Sequence, residues 1–257
     1  NKFDFQFNGR HDQVEASGGG SSKDFSAKTG LFGIGYHLTD SFRITGSLSS
    51  GFRAPVVMEY FNCYNTCSPN ANLNLQPELH HTQEVGFEYK SIYGLTRLVY
   101  FDTKTNNAIT YQSATSSYVN IPTVKNHGFE ISERATWNGY QLIASYTHQN
   151  PVDVSTAIPL LRRAKDYGSV NLSKSLGAYD LGTKMIFSGK RYDHDGNGDL
   201  TSLKAYQIWS FYAGYKYSDE ISLRLRLDNA FDEKYQLAYG YNTPGRTAWL
   251  TLIYQQK

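Results

Sequence analysis

The run Ile221-Ser-Leu-Arg-Leu-Arg-Leu227 alternates apolar and polar residues without a break. In a β-strand, successive side chains point to opposite faces, so this run would place its aliphatic residues on one face and a serine and two arginines on the other. The same pattern recurs at residues 31–36, 42–48 and 85–89. A soluble all-β sandwich or barrel and a transmembrane β-barrel would both produce it.

Outward from these runs, the pattern predicts twelve strands. They are expected near residues 2–10, 26–37, 41–52, 79–91, 94–104, 127–137, 140–149, 164–176, 179–190, 204–217, 220–230 and 246–256. The breaks between them alternate in length, with short ones such as 138–139 and long ones at 11–25, 53–78, 105–126, 150–163, 191–203 and 231–245. Membrane barrels alternate short periplasmic turns with long extracellular loops, so we expect an antiparallel transmembrane β-barrel.

Proline and the aromatic residues support this interpretation. Proline cannot donate to a strand ladder, and all seven prolines fall in the long breaks. Aromatic residues cluster near the short turns, as they do at membrane interfaces. They are Tyr36, Tyr89, Tyr93, Trp137, Tyr140, Tyr215, Tyr217 and Tyr254.

Composition sets further limits. The chain has 257 residues and a mean hydropathy of −0.51, and no stretch approaches the ~18 apolar residues of a membrane-spanning helix. The net charge of +2, without a basic run, gives no indication of nucleic-acid binding. No signal peptide is visible, so we expect a mature or truncated chain. No catalytic grouping is recognisable, and we predict that the chain is not an enzyme.

Cys63 and Cys67 are the two cysteines, in a segment without a strand pattern. A small disulfide loop in an oxidising compartment is expected. A metal-binding pair is the other interpretation, although no second Cys or His pair stands nearby at zinc spacing.

Four segments resemble TonB-dependent receptors of the bacterial outer membrane. The first joins Gly51-Phe-Arg-Ala-Pro55 to Asn72-Leu-Asn-Leu-Gln-Pro-Glu78, like that family's paired signatures. The second is Pro159-Leu-Leu-Arg-Arg-Ala-Lys165, the third Leu227-Asp-Asn-Ala-Phe-Asp-Glu-Lys-Tyr235 and the fourth Tyr239-Gly-Tyr-Asn-Thr-Pro-Gly-Arg246. Their order and spacing match the family across the whole chain. One departure is Gln256, which stands where these barrels usually carry a C-terminal aromatic residue.

The resemblance implies a barrel of about twenty-two strands around an N-terminal plug. Residues 1–257 would then be the C-terminal part of the barrel, with the plug and the first strands absent from this chain. It also implies the outer membrane as location, TonB as a partner through the missing plug, and lipid around the wall. A complete twelve-stranded barrel that acts as an enzyme or passive pore is the alternative.

The expected cargo is a large scarce nutrient. The second and fourth segments are most similar to cobalamin (vitamin B12) receptors, so cobalamin is the first expectation and a ferric siderophore the second. Haem is less favoured, because haem receptors of the family carry a His between the paired signatures, and residues 55–77 contain none.

Asp193-His-Asp-Gly-Asn-Gly-Asp-Leu200 resembles an EF-hand calcium loop. Asp193, Asp195, Asn197 and Asp199 would supply oxygen ligands. The twelfth position is Lys204 and not the usual bidentate Glu. A solvated acidic turn is the alternative.

Loop aromatics and two arginines are the candidate ligand contacts. Aromatic rings stack on large planar ligands, and guanidinium groups bind anionic ones. The candidates are Tyr60, Phe61, Tyr64, Tyr118, Arg162, Arg163, Tyr239 and Tyr241. The aromatics could equally serve loop packing, and the arginines could pair with acids inside the barrel.

Overall fold

The computed structural model describes residues 2–18, 21–61, 71–112 and 115–256. These residues form fifteen strands and one five-residue helix. In chain order they are β1 (Phe3–Gly18), β2 (Ser21–His37), β3 (Phe42–Arg53), α1 (Val57–Phe61), β4 (Glu78–Lys90), β5 (Gly94–Gln112), β6 (Ser117–Trp137), β7 (Tyr140–Gln149), β8 (Val152–Asp153), β9 (Asp166–Leu176), β10 (Tyr179–Ser188), β11 (Arg191–His194), β12 (Leu200–Leu203), β13 (Tyr206–Lys216), β14 (Ile221–Asp228) and β15 (Thr247–Tyr254).

Twelve strands form one continuous antiparallel wall in the order β1-β2-β3-β4-β5-β6-β7-β9-β10-β13-β14-β15. Each wall strand corresponds to one strand expected from the alternation, so the all-β prediction is confirmed. Short turns join the strands at one rim, the short-turn end, and the longer connections lie at the opposite rim, the long-loop end. Asn138 and Gly139 both have positive φ, 46° and 77°, as the two central residues of a tight hairpin turn require.

The wall has an apolar outer face and a polar inner face. Leu225 of β14 pairs with Ala213 and Leu250, whereas Arg224 pairs with Gly214 and Thr251. Cross-strand aromatic pairs mark the short-turn end of the outer face. They are Phe3–Tyr36, Phe42–Tyr89, Trp137–Tyr140 and Tyr179–Tyr215, with ring centroids 4.7–5.5 Å apart. Among the described residues, no helix is long and apolar enough to cross a membrane.

Two of the expected long loops are instead extended strands. Residues 11–18 and 21–25 continue β1 and β2, and residues 105–112 and 117–126 continue β5 and β6. The prediction that proline stays outside the strands was also wrong, because Pro122 lies within β6. It faces Asn107, whose φ is 58°, at a gap in the ladder between the pairs Asn106–Thr123 and Ala108–Ile121. Proline is tolerated at this point because no ladder hydrogen bond is needed there.

Small strands also occur in two of the other long breaks, 150–163 and 191–203. β8 pairs with β6, and β11 pairs with β12 as a separate hairpin. In the described part of the chain, β1 pairs only with β2 and β15 only with β14, so the wall is open. The alternative of a closed twelve-stranded barrel is therefore not what the structure forms.

The hydrophobic core lies beyond the wall, at the long-loop end. Ala16 and Phe25 from the β1–β2 hairpin pack with Tyr60 and Phe61 of α1 and with Leu75. The β5–β6 hairpin covers this cluster through Ile109 and Tyr118. The protruding hairpins and the β3–β4 connection thus form one packed body above the wall.

Candidate functional site

The paired signatures meet through Arg53. Its guanidinium contacts Glu59 Oε2 at 2.8 Å and Glu78 Oε1 at 2.7 Å. Glu78 Oε1 also accepts a hydrogen bond from the Ile109 amide at 2.7 Å. The arginine of the first signature and the glutamate of the second therefore fix the β3–β4 connection to the β5–β6 hairpin. Charge-assisted hydrogen bonds of this kind are the strong ones in proteins.

The third and fourth segments also meet. The buried Asn229 side chain donates to the carbonyls of Glu233 at 3.0 Å and Pro244 at 3.4 Å. Asp232 accepts a hydrogen bond from the Arg246 amide at 2.9 Å, and this bond, followed by the Lys234 ammonium, lowers the pKa of Asp232. The β14–β15 connection is thereby folded back on itself.

Asp193 joins three connections at the long-loop end, an arrangement named the Asp193 clasp. Its Oδ2 accepts hydrogen bonds from Arg162 Nε at 2.9 Å and from the Tyr239 amide at 2.8 Å. Its Oδ1 accepts one from the His194 amide at 2.9 Å. The carboxylate is 1% exposed. Burial alone would raise its pKa, but these hydrogen bonds and the charge of Arg162 outweigh burial, and the pKa of Asp193 lies below its ordinary value.

Arg191 strengthens the same region. Its guanidinium donates to the carbonyls of Lys204 at 3.3 Å and Gln236 at 3.1 Å. It also lies over the Tyr206 ring, 4.8 Å from the centroid. Its Nε is buried and has no hydrogen-bond partner among the described residues. The alternation of apolar and polar residues could not identify Arg191 as a site residue, because Arg191 lies in the segment 191–203 that was expected to be a loop.

A cavity of about 620 Å³, the inner-face cavity, opens between the wall and these connections. Arg162, Arg163 and Arg191 line it, together with Tyr167 and Tyr206. None of the described residues that line it is acidic. Arg162 is 59% exposed despite its contact with Asp193, and no ion pair is formed by Arg163 among the described residues. The cavity is therefore cationic and partly aromatic.

The expected ligand residues divide into three groups. Arg162 and Arg163 do share a cavity. Tyr60 and Phe61 are each 5% exposed, and the Tyr60 hydroxyl donates to the Leu73 carbonyl at 2.6 Å, so packing already covers both rings. Tyr118 packs on the same cluster.

The remaining aromatics lie elsewhere. Tyr239 borders a second cavity of about 610 Å³, next to Lys204 and Tyr235. Tyr241 is 73% exposed. Tyr64, Cys63 and Cys67 lie outside the described residues.

The four expected calcium ligands do not converge. Asp193 turns towards Arg162, as described above. Asp195 accepts hydrogen bonds from the amides of Asn197 at 2.8 Å and Asp199 at 3.0 Å. In the described chain, no three His, Cys, Asp or Glu side chains are grouped so that they could hold a metal ion. The calcium site stays a prediction, and the geometry gives Asp193 a different role.

An apolar outer face, a polar inner face and a cavity beneath long connections define the wall of a transmembrane β-barrel transporter. A family model described as TonB dependent receptor-like, beta-barrel, matches residues 1–230. The chain belongs to this family of bacterial outer-membrane transporters, which are not enzymes. The long-loop end is therefore extracellular and the short-turn end periplasmic.

Solved structures share the fold. The ferric-catecholate import receptor Fiu of E. coli K12 is 18% identical, with a TM-score of 0.78 over 98% of this chain and 42% of that one. FpvA of P. aeruginosa, bound to heterologous pyoverdines, is 18% identical, with a TM-score of 0.82 over 99% and 36%. The FrpB iron transporter of Neisseria meningitidis is 17% identical, with a TM-score of 0.77 over 99% and 43%. The chain thus spans roughly two fifths of each.

Proposed function

We propose that this chain is the C-terminal part of the barrel of an outer-membrane receptor for a ferric siderophore. The three solved structures described above are named for ferric catecholate import, for pyoverdine binding and for iron transport, which supports the iron interpretation over cobalamin, the first expectation from the sequence. None of these three structures is named for cobalamin.

The observation that carries the proposal is the chemistry of the inner-face cavity. Three arginines supply positive charge, and Tyr167 and Tyr206 supply aromatic surface. Ferric complexes of several catecholates are anionic and present flat aromatic rings. Guanidinium groups and aromatic side chains suit both features. The volume of about 620 Å³ is in the range of small-molecule sites.

We propose further that additional strands and a plug complete the receptor and connect it to TonB. The open edges of β1 and β15 support this proposal. Unpaired backbone groups at membrane depth cost several kcal/mol each, so strands outside this chain must pair with both edges. Phe3, Phe5 and Phe7 on β1 are exposed, as expected for a lipid-facing wall strand.

The test is ligand binding by the full-length receptor that contains this chain. A ferric tris-catecholate, a ferric tris-hydroxamate and cyanocobalamin would be titrated, with tryptophan fluorescence as the readout. We expect binding of a ferric chelate, and an affinity about tenfold lower after Arg163→Gln, as for loss of one charged hydrogen bond. Arg224→Gln, on the inner face at the periplasmic end, is the matched control. Binding of cyanocobalamin alone would overturn the proposal.

A further inference from the structure

A group of two lysines and two histidines lies on the outer face of the wall at its extracellular end. His81, Lys104 and Lys125 are direct cross-strand neighbours on β4, β5 and β6, and His127 lies two residues below Lys125. All four side chains are exposed. We name these four residues the outer cationic patch.

The patch begins where the apolar surface of the wall ends. Along β5, the outward positions run Leu98, Tyr100, Asp102 and Lys104, because alternate residues share a face. The apolar-to-polar change occurs at the same level on β4, after Val85, and on β6, after Phe129.

The height of this change fits the edge of a membrane. Lys104 lies about ten residues above the periplasmic turn, or ~25 Å at a rise of ~3.3 Å per residue and a tilt of ~40°. This equals the ~25 Å height of the apolar band of outer-membrane barrels. The patch therefore faces the headgroup region of the outer leaflet.

The two lysines of the patch have no ion-pair partner in the part of the chain that the structure describes. Lys104 and Lys125 are directly opposite each other, an arrangement that destabilises a strand pair. No ion pair involves either lysine among the described residues. Asp102, directly opposite His127, is the nearest acidic residue of this face. Asp166, on the same face, is already hydrogen-bonded to the side chains of Tyr146 and His148. An anion between the two lysines would remove their repulsion.

We infer that the outer cationic patch binds the phosphate groups of an outer-leaflet glycolipid. The acyl chains would pack on the apolar surface around Tyr100 and Phe129, while the phosphates lie between Lys104 and Lys125. Clusters of lysine beside apolar surface recognise anionic lipid headgroups in this way. Uncharged sugars and acyl chains would not require two adjacent lysines, so the phosphates of the glycolipid are the groups that the patch recognises. This inference concerns the membrane contact and does not depend on the cargo of the receptor.

The experiment uses the full-length receptor in detergent, as wild type, as the double variant Lys104→Ala and Lys125→Ala, and as Lys174→Ala. Lys174 is an outward lysine at the periplasmic end, over the Tyr140 ring, and serves as the matched control. Native mass spectrometry would measure binding of diphosphorylated lipid A and of the same lipid without phosphates. Electrophoretic heat-modifiability verifies that each variant folds.

We expect wild type and Lys174→Ala to bind the phosphorylated lipid equally. The double variant should bind it roughly twenty-five-fold more weakly, since each of the two lysines near an anionic surface contributes about fivefold. Wild type should bind the dephosphorylated lipid as weakly as the double variant binds lipid A. Equal binding of both lipids by wild type, or an unchanged double variant, would overturn the inference. Complete displacement by inorganic phosphate would also overturn it, because it would indicate a site for free anions.

Discussion

Replacing Asp193 by Asn should release the β14–β15 connection without unfolding the wall. Oδ1 of Asp193 accepts one hydrogen bond and Oδ2 accepts two. An asparagine offers only one acceptor oxygen, so in either orientation its NH2 group faces an N–H donor. The buried site cannot supply water to relieve this conflict, because the side chain is 1% exposed.

The magnitude follows from these contacts. A hydrogen bond to a charged group contributes about 1.5–3 kcal/mol. Arg162 is 59% exposed, so solvent screens its share and the lower half of the range applies. A local loss of about 2 kcal/mol corresponds to roughly thirtyfold in an opening equilibrium. We therefore expect hydrogen exchange at the Tyr239 amide to accelerate about thirtyfold.

The assay is hydrogen exchange with mass spectrometry on the full-length receptor, in chelator, following peptides that contain Tyr239. Asp195→Asn is the matched control, because Asp195 accepts only local amides within the same hairpin. It should accelerate exchange in residues 196–199 and leave the Tyr239 peptide unchanged. If Asp193→Asn also leaves that peptide unchanged, the clasp does not hold the connection.

Acid should release the same clasp. The folded-state pKa of Asp193 is lower than the ordinary value of 3.8. The contribution of the ionised carboxylate is therefore complete above pH 3.8 and is lost as the pH falls through the lower folded-state value. Protection of the Tyr239 amide, corrected for intrinsic exchange, should be constant from neutral pH to about pH 4 and fall below it. Loss that begins near neutral pH would contradict this assignment.

Three further predictions concern other parts of the long-loop end. Arg53→Gln should destabilise the extracellular body by about 3 kcal/mol, because it removes the guanidinium partner of two largely buried carboxylates, and it should speed proteolysis of residues 54–77; Arg10→Gln, in an exposed pair, should do neither. Calcium should slow hydrogen exchange in residues 195–199 of wild type and have no effect on Asp195→Asn, and equal exchange with calcium and chelator in wild type would remove the predicted site. Reduction of a Cys63–Cys67 disulfide should raise the mass of the protein by two hydrogen atoms, and a mass unchanged by reductant would show that the two cysteines are not joined.

The strands of the wall were predictable because each has an apolar face towards lipid and a polar face towards the barrel interior. Alternation identified all twelve, but it placed the end of β5 at residue 104 instead of Gln112. Beyond Lys104 the strand leaves the membrane, and both faces of Asn106 to Thr110 meet water or protein. The apolar–polar contrast then disappears, although the backbone ladder continues. The pattern therefore reports the membrane-embedded length of a strand and not its full length.

Contacts at the site depend on partners that local patterns cannot reveal. Arg162 was expected to contact the ligand, and its partner Asp193 lies thirty-one residues further along the chain. Tyr60 is an aromatic residue of the kind that stacks on planar ligands, but the tips of β1 and β2 cover its ring. Those tips were expected to be loops. In both cases the observed contact comes from pairings across connections that the sequence shows only as breaks, and the role of either residue in ligand binding stays a prediction.

The family signatures explain why the cargo could not be identified from them. Arg53 and Glu78 hold each other, Asn229 holds the Pro244 carbonyl, and Arg162 is held by Asp193. These residues fix the extracellular connections to the wall, which lowers the ordering cost when a ligand binds, whatever that ligand is. A likeness confined to such residues therefore identifies the scaffold and is shared by receptors for different cargo. Selectivity must come from inner-face side chains that the signatures leave uncommitted. Tyr167, which lies on β9 outside the four segments and lines the cationic cavity, meets that condition.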